Sequence, residues 1–300
     1  MSRQSSTTGA LLVLGGAALF GTVGTARVLG PAMPSAVAGA ARLIVAAALL
    51  LLAAAVVGRR GDLRRLVGEG GAVRWIVFAG VGQAGFQVSF LAAVELIGVA
   101  TGTLVAIGCT PLVAGLMSLQ VSRSWLLATG CALCGLVLLV GGSDEDLRPL
   151  GLLAALGASL SYAVYIAASH RVAMAGVSTL TGLAAIFALA AVLLSPALVL
   201  LDTGGLWSAT GLTTVVYLAV VPTVVAYAAF NLGLRSVAPA TAATFGLIEP
   251  VVAAALGIVV LGERLGPTGF VGAALVMAGL TVLVEAQRRR ATHPVTSRAG

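Results

Sequence analysis

Long apolar runs alternate with short polar connections along almost the whole chain. The runs predict ten helices: Gly9 to about Ala26, then about 34–57, 75–96, 98–121, 125–141, 150–173, 178–201, 212–234, 237–261 and 267–286. Each is near the roughly 20 residues that a helix rising 1.5 Å per residue needs to cross ~30 Å of hydrocarbon. The first run follows a short polar tail and could be taken for a signal peptide, but its length and the runs after it mark it as the first span. The expected fold class is therefore an all-α polytopic membrane protein.

Composition agrees, with 59% hydrophobic and 9% charged residues and a mean hydropathy of +1.10 over 300 residues. Soluble domains carry about 25% charged residues. The 39 glycines suit helices that approach closely in a membrane. A net charge of +7 could suggest nucleic acid, yet all seventeen cations are arginines, most of them gathered in the connections and at the C-terminus. No nucleic-acid partner is expected; the lipid bilayer, with its anionic headgroups, is the expected counter-charge. With the N-terminus inside, thirteen of the seventeen arginines fall on the inner side, three (Arg27, Arg148 and Arg264) outside, and Arg42 within a span. That bias predicts a multi-pass protein of the cell membrane, N-in and C-in.

The two halves match each other. GALLVLGGAALFGTV from Gly9 resembles GLLAALGASLSYAVY from Gly151 at a spacing of 142, and Pro111 aligns with Pro250 at 139. Two five-helix repeats follow, at 9–141 and 150–286, with tails 1–8 and 287–300 in the cytoplasm. Because five is odd, the copies must insert with opposite orientation. Such inverted repeats place a substrate site near the bilayer midplane at their interface.

Polar residues inside the spans are the candidate chemistry. Glu249, directly before Pro250, is a carboxylate where charge is costly by roughly 3 kcal/mol, so it faces a cavity, partner or pathway, or else stays neutral as a packing residue. Pro250 should weaken the helix one turn earlier. Gln83 and Gln87 share a helix face, and at a spacing of 140 they correspond to Thr223 and Tyr227, with Asn231 one turn further on. Thr110 corresponds to Glu249, and Tyr162 and Tyr165 add an aromatic pair. Gln83, Gln87, Thr110, Tyr162, Tyr165, Tyr227, Asn231 and Glu249 line a central cavity in one reading and only join helices by hydrogen bonds in the other. Arg42, ~12 Å from its span's outer end, requires a partner such as Glu249 or a substrate carboxylate, unless it caps carbonyls or snorkels.

Other features are read as structural. Cys109, Cys131 and Cys134 lie in apolar segments without a second ligand pair, so no metal and no cofactor is expected. His170 sits near the inner end of its span, as an interfacial residue or a proton-handling one. A membrane-embedded enzyme acting on a lipid-linked or small amphipathic substrate is the competing class. It would want a nucleophile–base pair or converging carboxylates, whereas the chain has two histidines and one firmly intramembrane carboxylate, so no enzyme is expected.

The Arg of AARLIVAAALLLL and the run IEPVVAAALGIVVLGERL followed by GAALVMAGLTVLV resemble the EamA family of the drug/metabolite transporter superfamily. The likeness covers nearly the whole chain and rests most on Glu249–Pro250 and Gly262–Glu263. The first half departs from it, with Thr110 in place of Glu and no Gly-Glu pair. The resemblance implies ten helices around a central cavity and alternating-access transport, often outward, of small metabolites such as amino acids. Glu263 is read as fixing a connection. A proton exchanged at Glu249 is the candidate coupling ion, and the chain is expected to work as a monomer.

Overall fold

The computed structural model describes residues 5–57, 61, 72–118, 122–140, 148–262, 264 and 266–292. All its regular elements among these residues are helical. They are α1 (Ser5–Phe20), α2 (Thr22–Leu29), α3 (Ser35–Val57), α4 (Ala72–Ile97), α5 (Val99–Ser118), α6 (Arg123–Val140) and α7 (Pro149–Met174). There follow α8 (Thr179–Leu194), α9 (Ala197–Leu200), α10 (Ala209–Ala219), a π-helical turn at Val220–Val225, α11 (Ala226–Gly233), α12 (Pro239–Phe245), α13 (Ile248–Leu261) and α14 (Pro267–Thr292).

Among the described residues, eight helical segments are long and apolar enough to cross a membrane: Thr7–Leu29, Ser35–Val57, Ala72–Ile97, Pro149–Met174, Thr179–Leu200, Ala209–Gly233, Pro239–Leu261 and Pro267–Ala286. The fourth and fifth expected spans coincide with shorter apolar helices, Thr101–Met117 and Arg123–Leu139. The chain is thus a polytopic helical membrane protein. Leu52, Val56, Leu116, Leu127 and Val259 are all more than 60% exposed, as side chains facing acyl chains must be.

Start signals follow local chemistry. Pro149, Pro239 and Pro267 open α7, α12 and α14, where a missing N–H costs nothing. Ser178 and Ser208 cap α8 and α10 by accepting from Thr181 N (3.3 Å) and Gly211 N (2.9 Å). Gly98 takes φ 78° in the one-residue turn between α4 and α5. Gly262 ends α13 in the left-handed region at φ 71°, which accounts for that glycine of the Gly-Glu pair. Glu263 itself, the 62–71 connection with its arginines, the acidic 143–146 stretch and His293 lie outside the described residues.

Several spans expected as continuous are interrupted. The first breaks at Gly21, the seventh at Ser195–Pro196, and the ninth at Gly246–Leu247, one turn before Pro250. The cause of the last is visible in the hydrogen bonds. Pro250 has no N–H for the Gly246 carbonyl, which instead accepts from Glu249 N at 3.0 Å, while Leu247 N tightens onto Thr244 O at 3.0 Å. In the eighth span Pro222 cannot donate to Leu218 O; the Thr223 hydroxyl does so at 2.7 Å, inside the π turn. Pro111 sits within α5 without interrupting it.

Helix pairing follows a regular scheme. α4 lies along α7 and α1 along α11, while α3 packs on α8, α5 on α12 and α6 on α14. Glycines permit the closest approaches. A Cβ on Gly16 would meet Ala226 O at 2.5 Å, one on Gly82 would meet Ser161 O at 2.7 Å, and Gly135 and Gly272 each present a bare backbone to the other. Where lipid is as apolar as the side chains, such contacts supply packing attraction that a hydrophobic drive cannot.

Candidate functional site

Most of the polar residues singled out inside the spans come together between α3, α4, α7 and α11, with Glu249 of α13 within electrostatic reach. Gln83 and Gln87, one turn apart on α4, face two different neighbours. Gln83 Nε2 donates to the Tyr227 hydroxyl at 3.1 Å, and that hydroxyl also lies 3.3 Å from Gln83 Oε1. Gln87 Oε1 accepts from Arg42 Nη2 at 3.0 Å. Asn231, one turn beyond Tyr227, donates through Nδ2 to the Tyr165 hydroxyl at 2.7 Å and to the Tyr227 carbonyl at 2.9 Å. Three hydrogen-bonded pairs therefore tie α4 to α11 and α3, and α11 to α7.

Aromatic rings frame these pairs. Tyr162 stacks on Tyr165 with centroids 5.8 Å apart and planes 2° from parallel, and Tyr165 meets Tyr227 edge-on at 5.5 Å. Phe20, Phe187 and Phe86 close the walls, at 4.7 Å and 4.8 Å from Tyr227 and 4.9 Å from Tyr162, respectively. Gln83, Gln87, Tyr162, Tyr165, Tyr227 and Asn231 are all buried. In this conformation the cluster is closed on itself: the Gln83 amide and the Tyr227 hydroxyl satisfy each other, and the Asn231 amide satisfies the Tyr165 hydroxyl.

Arg42 and Glu249 are the exceptions. Both are partly accessible. Among the described residues Arg42 has one hydrogen-bond partner, Gln87, and its Nε is buried without one. Glu249 makes no side-chain hydrogen bond and no ion pair among the described residues, so the two are not salt-bridged, although each lies within electrostatic reach of the other and of Tyr227. An unsatisfied guanidinium N–H within electrostatic reach of an unengaged carboxylate is an arrangement that a ligand carrying carboxylate or amine groups can complete.

Glu249 is held there by two broken helices. It lies in the first turn of α13, where the helix dipole favours a negative charge. The α1–α2 break packs against it so closely that a Cβ on Gly21 would meet Glu249 O at 2.6 Å. Gly39, on the same face as Arg42, plays a similar part: its Cβ would meet Gln87 Nε2 at 2.6 Å. The π turn at Val220–Val225 precedes Tyr227 and Asn231 and sets the face on which they emerge.

Thr110 is buried, but its hydroxyl bonds back to Ala106 O at 2.7 Å and joins none of these pairs. Thr223 is spent on Leu218 O. His170 Nδ1 donates to Leu234 O at 2.6 Å, closing the C-terminal end of α11. Cys109, Cys131 and Cys134 are free thiols, and no group of three metal-ligating side chains occurs among the described residues. The phenylalanines and the π turn escaped the reading of the sequence. Phenylalanine in an apolar run carries no signal, whereas Pro222 in VVPTVV and Gly39 three residues before Arg42 could have been used.

Comparison with known proteins gives three results. Residues 149–285 match the model of the EamA-like transporter family. The transporter YwfM of Bacillus subtilis (strain 168), itself uncharacterized, is 35% identical over 289 residues, covering 94% of this chain and 95% of that protein. A solved crystal structure superposes with a TM-score of 0.80 at 22% identity, over 95% of this chain and 99% of the other, and this likeness speaks to fold alone.

Proposed function

Since the chain belongs to the EamA-like transporter family, we propose that it carries small metabolites such as amino acids across the cell membrane by alternating access through a site at the Arg42–Glu249 cluster. That it is a multi-pass membrane transporter follows from that membership and from its apolar helices. The observation that carries this reading is an under-satisfied Arg42 within electrostatic reach of an unengaged Glu249, beside three interhelical hydrogen bonds. Opening the cluster exchanges those bonds for bonds to cargo, so the change costs little.

The ten-span, inverted-repeat architecture is part of the proposal. If residues 9–141 and 150–286 are related by a two-fold axis in the membrane plane, spans one and three of the first half correspond to six and eight. The pairs α1–α11 and α7–α4 are then equivalent, and the second–seventh, fourth–ninth and fifth–tenth contacts fall on the axis. The observed pairings α1·α11, α4·α7, α3·α8, α5·α12 and α6·α14 fit that scheme. The close approach of Gly135 to Gly272 joins the fifth and tenth spans where that scheme puts them together. Thr101–Met117 and Arg123–Leu139 then cross as the fourth and fifth spans, and both tails lie inside. Two interrupted spans meeting at Glu249 match the broken helices that surround transporter sites. The protein works as a monomer, with a proton at Glu249 as coupling ion.

The test is transport by purified protein in liposomes. Metabolites should cross unmodified; a chemically altered product would point to an enzyme instead. Glu249→Gln should remove the pH dependence of flux, and an unchanged dependence would take Glu249 out of the coupling role. Arg42→Ala should impair anionic and zwitterionic cargo more than cationic cargo, whereas equal losses would mean a structural arginine.

A further inference from the structure

An open recess of about 600 Å3 lies at the C-terminal end of α2, between the 30–34 connection and the segment that follows α9. Its two charged residues are of opposite sign. Arg27, in the last turn of α2, is anchored through Nη2 to the Met33 carbonyl at 2.7 Å, while Nη1 is buried with no acceptor. Asp202 accepts from Gly204 N at 2.9 Å through Oδ1 only. No ion pair joins Arg27 to Asp202 among the described residues, although both line the same recess. Val28, Pro31 and Met33 give it an apolar wall.

We propose that this recess is a second binding site, at the mouth of the transporter, for a zwitterionic α-amino acid with an apolar side chain. The carboxylate docks on the Arg27 guanidinium, the ammonium on Asp202, and the side chain against Val28, Pro31 and Met33. The guanidinium fork binds a carboxylate in a geometry that the Met33 carbonyl, occupying one N–H, leaves partly unused. An anion or a cation alone satisfies one wall; a zwitterion satisfies both. Arg27 also lies within electrostatic reach of Arg42, so a carboxylate released by one arginine moves into the field of the other. This inference rests on the transport reading, and on the orientation that puts Arg27 outside.

The experiment uses the full chain in proteoliposomes with Cys109, Cys131 and Cys134 replaced by Ala and Val28→Cys as reporter; Val28 lines the recess and is 66% exposed. The labelling rate by an impermeant maleimide is measured with L-leucine, with 4-methylpentanoate, which lacks the amine, and with 3-methylbutylamine, which lacks the carboxylate. Leucine should protect, and each one-charge analogue should need about tenfold more, the equivalent of ~1.4 kcal/mol. Arg27→Gln and Asp202→Asn should each cost leucine a similar factor, and Asp202→Asn should leave 4-methylpentanoate unaffected. Equal protection by leucine and 4-methylpentanoate, or leucine protection indifferent to both substitutions, would overturn the proposal. Leucine flux is read in the same vesicles. Flux without protection overturns the mouth site and leaves the transport reading, while protection dependent on both charges without leucine flux supports the binding site and removes leucine from the cargo.

Discussion

Tyr227→Phe takes one oxygen from the centre of the molecule and leaves the ring against Phe20 and Phe187. That oxygen is the sole side-chain partner seen for the Gln83 amide, which is 0% exposed, so both Nε2 and Oε1 lose their bond. Interhelical hydrogen bonds in membranes average ~0.6 kcal/mol with a maximum near ~1.7. Orphaning a buried polar group costs ~1–3 kcal/mol. Because no water reaches Gln83, the second figure governs, and a loss of about 1–2 kcal/mol is expected. Gln83→Leu alone should cost less, since the Tyr227 hydroxyl is left with fewer unmet groups than the amide. Combining Gln83→Leu with Tyr227→Phe should recover most of the loss, because removing both partners is nearly neutral. The assay is reversible unfolding in mixed micelles, read as a double-mutant cycle. A coupling energy of at least ~1 kcal/mol is expected for groups in contact. Strict additivity would mean that the two side chains do not depend on each other, and the account of a self-satisfied cluster would fail.

Three further substitutions probe the supports of that cluster. Gly39→Ala places a Cβ 2.6 Å from Gln87 Nε2, the end of a flexible side chain; stability should change by less than ~1 kcal/mol, while flux falls about tenfold as the Arg42–Gln87 bond is lost. Gly272→Ala meets Gly135 O at 2.5 Å, backbone that cannot turn aside, so a melting measurement should show a loss of ~1–3 kcal/mol. Thr223→Val leaves Leu218 O without the donor that replaces the missing Pro222 N–H; a loss of ~0.6–1.7 kcal/mol is expected, and Thr223→Ser should restore it.

The apolar background made the site residues readable. Gln83, Gln87, Tyr227, Asn231, Arg42 and Glu249 stand out because each is costly among Leu, Val and Ala, and helical spacing put Gln83 with Gln87 and Tyr227 with Asn231 on shared faces. Spacing gives a face and not a neighbour. The partner of Arg42 is accordingly Gln87 from another span, and neither Thr110 nor Thr223 joins the cluster because a hydroxyl can be satisfied by its own helix. The break before Pro250 was foreseeable from the missing N–H. The break at Gly21 was not, since glycine is common in membrane helices and nothing local distinguishes one that packs against the Glu249 backbone. Hydropathy separated the long spans cleanly. It could not grade Thr101–Met117 and Arg123–Leu139, whose apolar cores fall short of the usual length.

The central claim is that a cluster now buried becomes open to each side of the membrane in turn. Asn231→Cys in the protein lacking its native cysteines, reconstituted in a known orientation, tests it without knowledge of the cargo. A small impermeant thiol reagent should modify the new cysteine when added from either side. A cysteine that reacts from neither side would contradict alternating access, and one that reacts from a single side under all conditions would make the cluster the floor of a one-sided pocket.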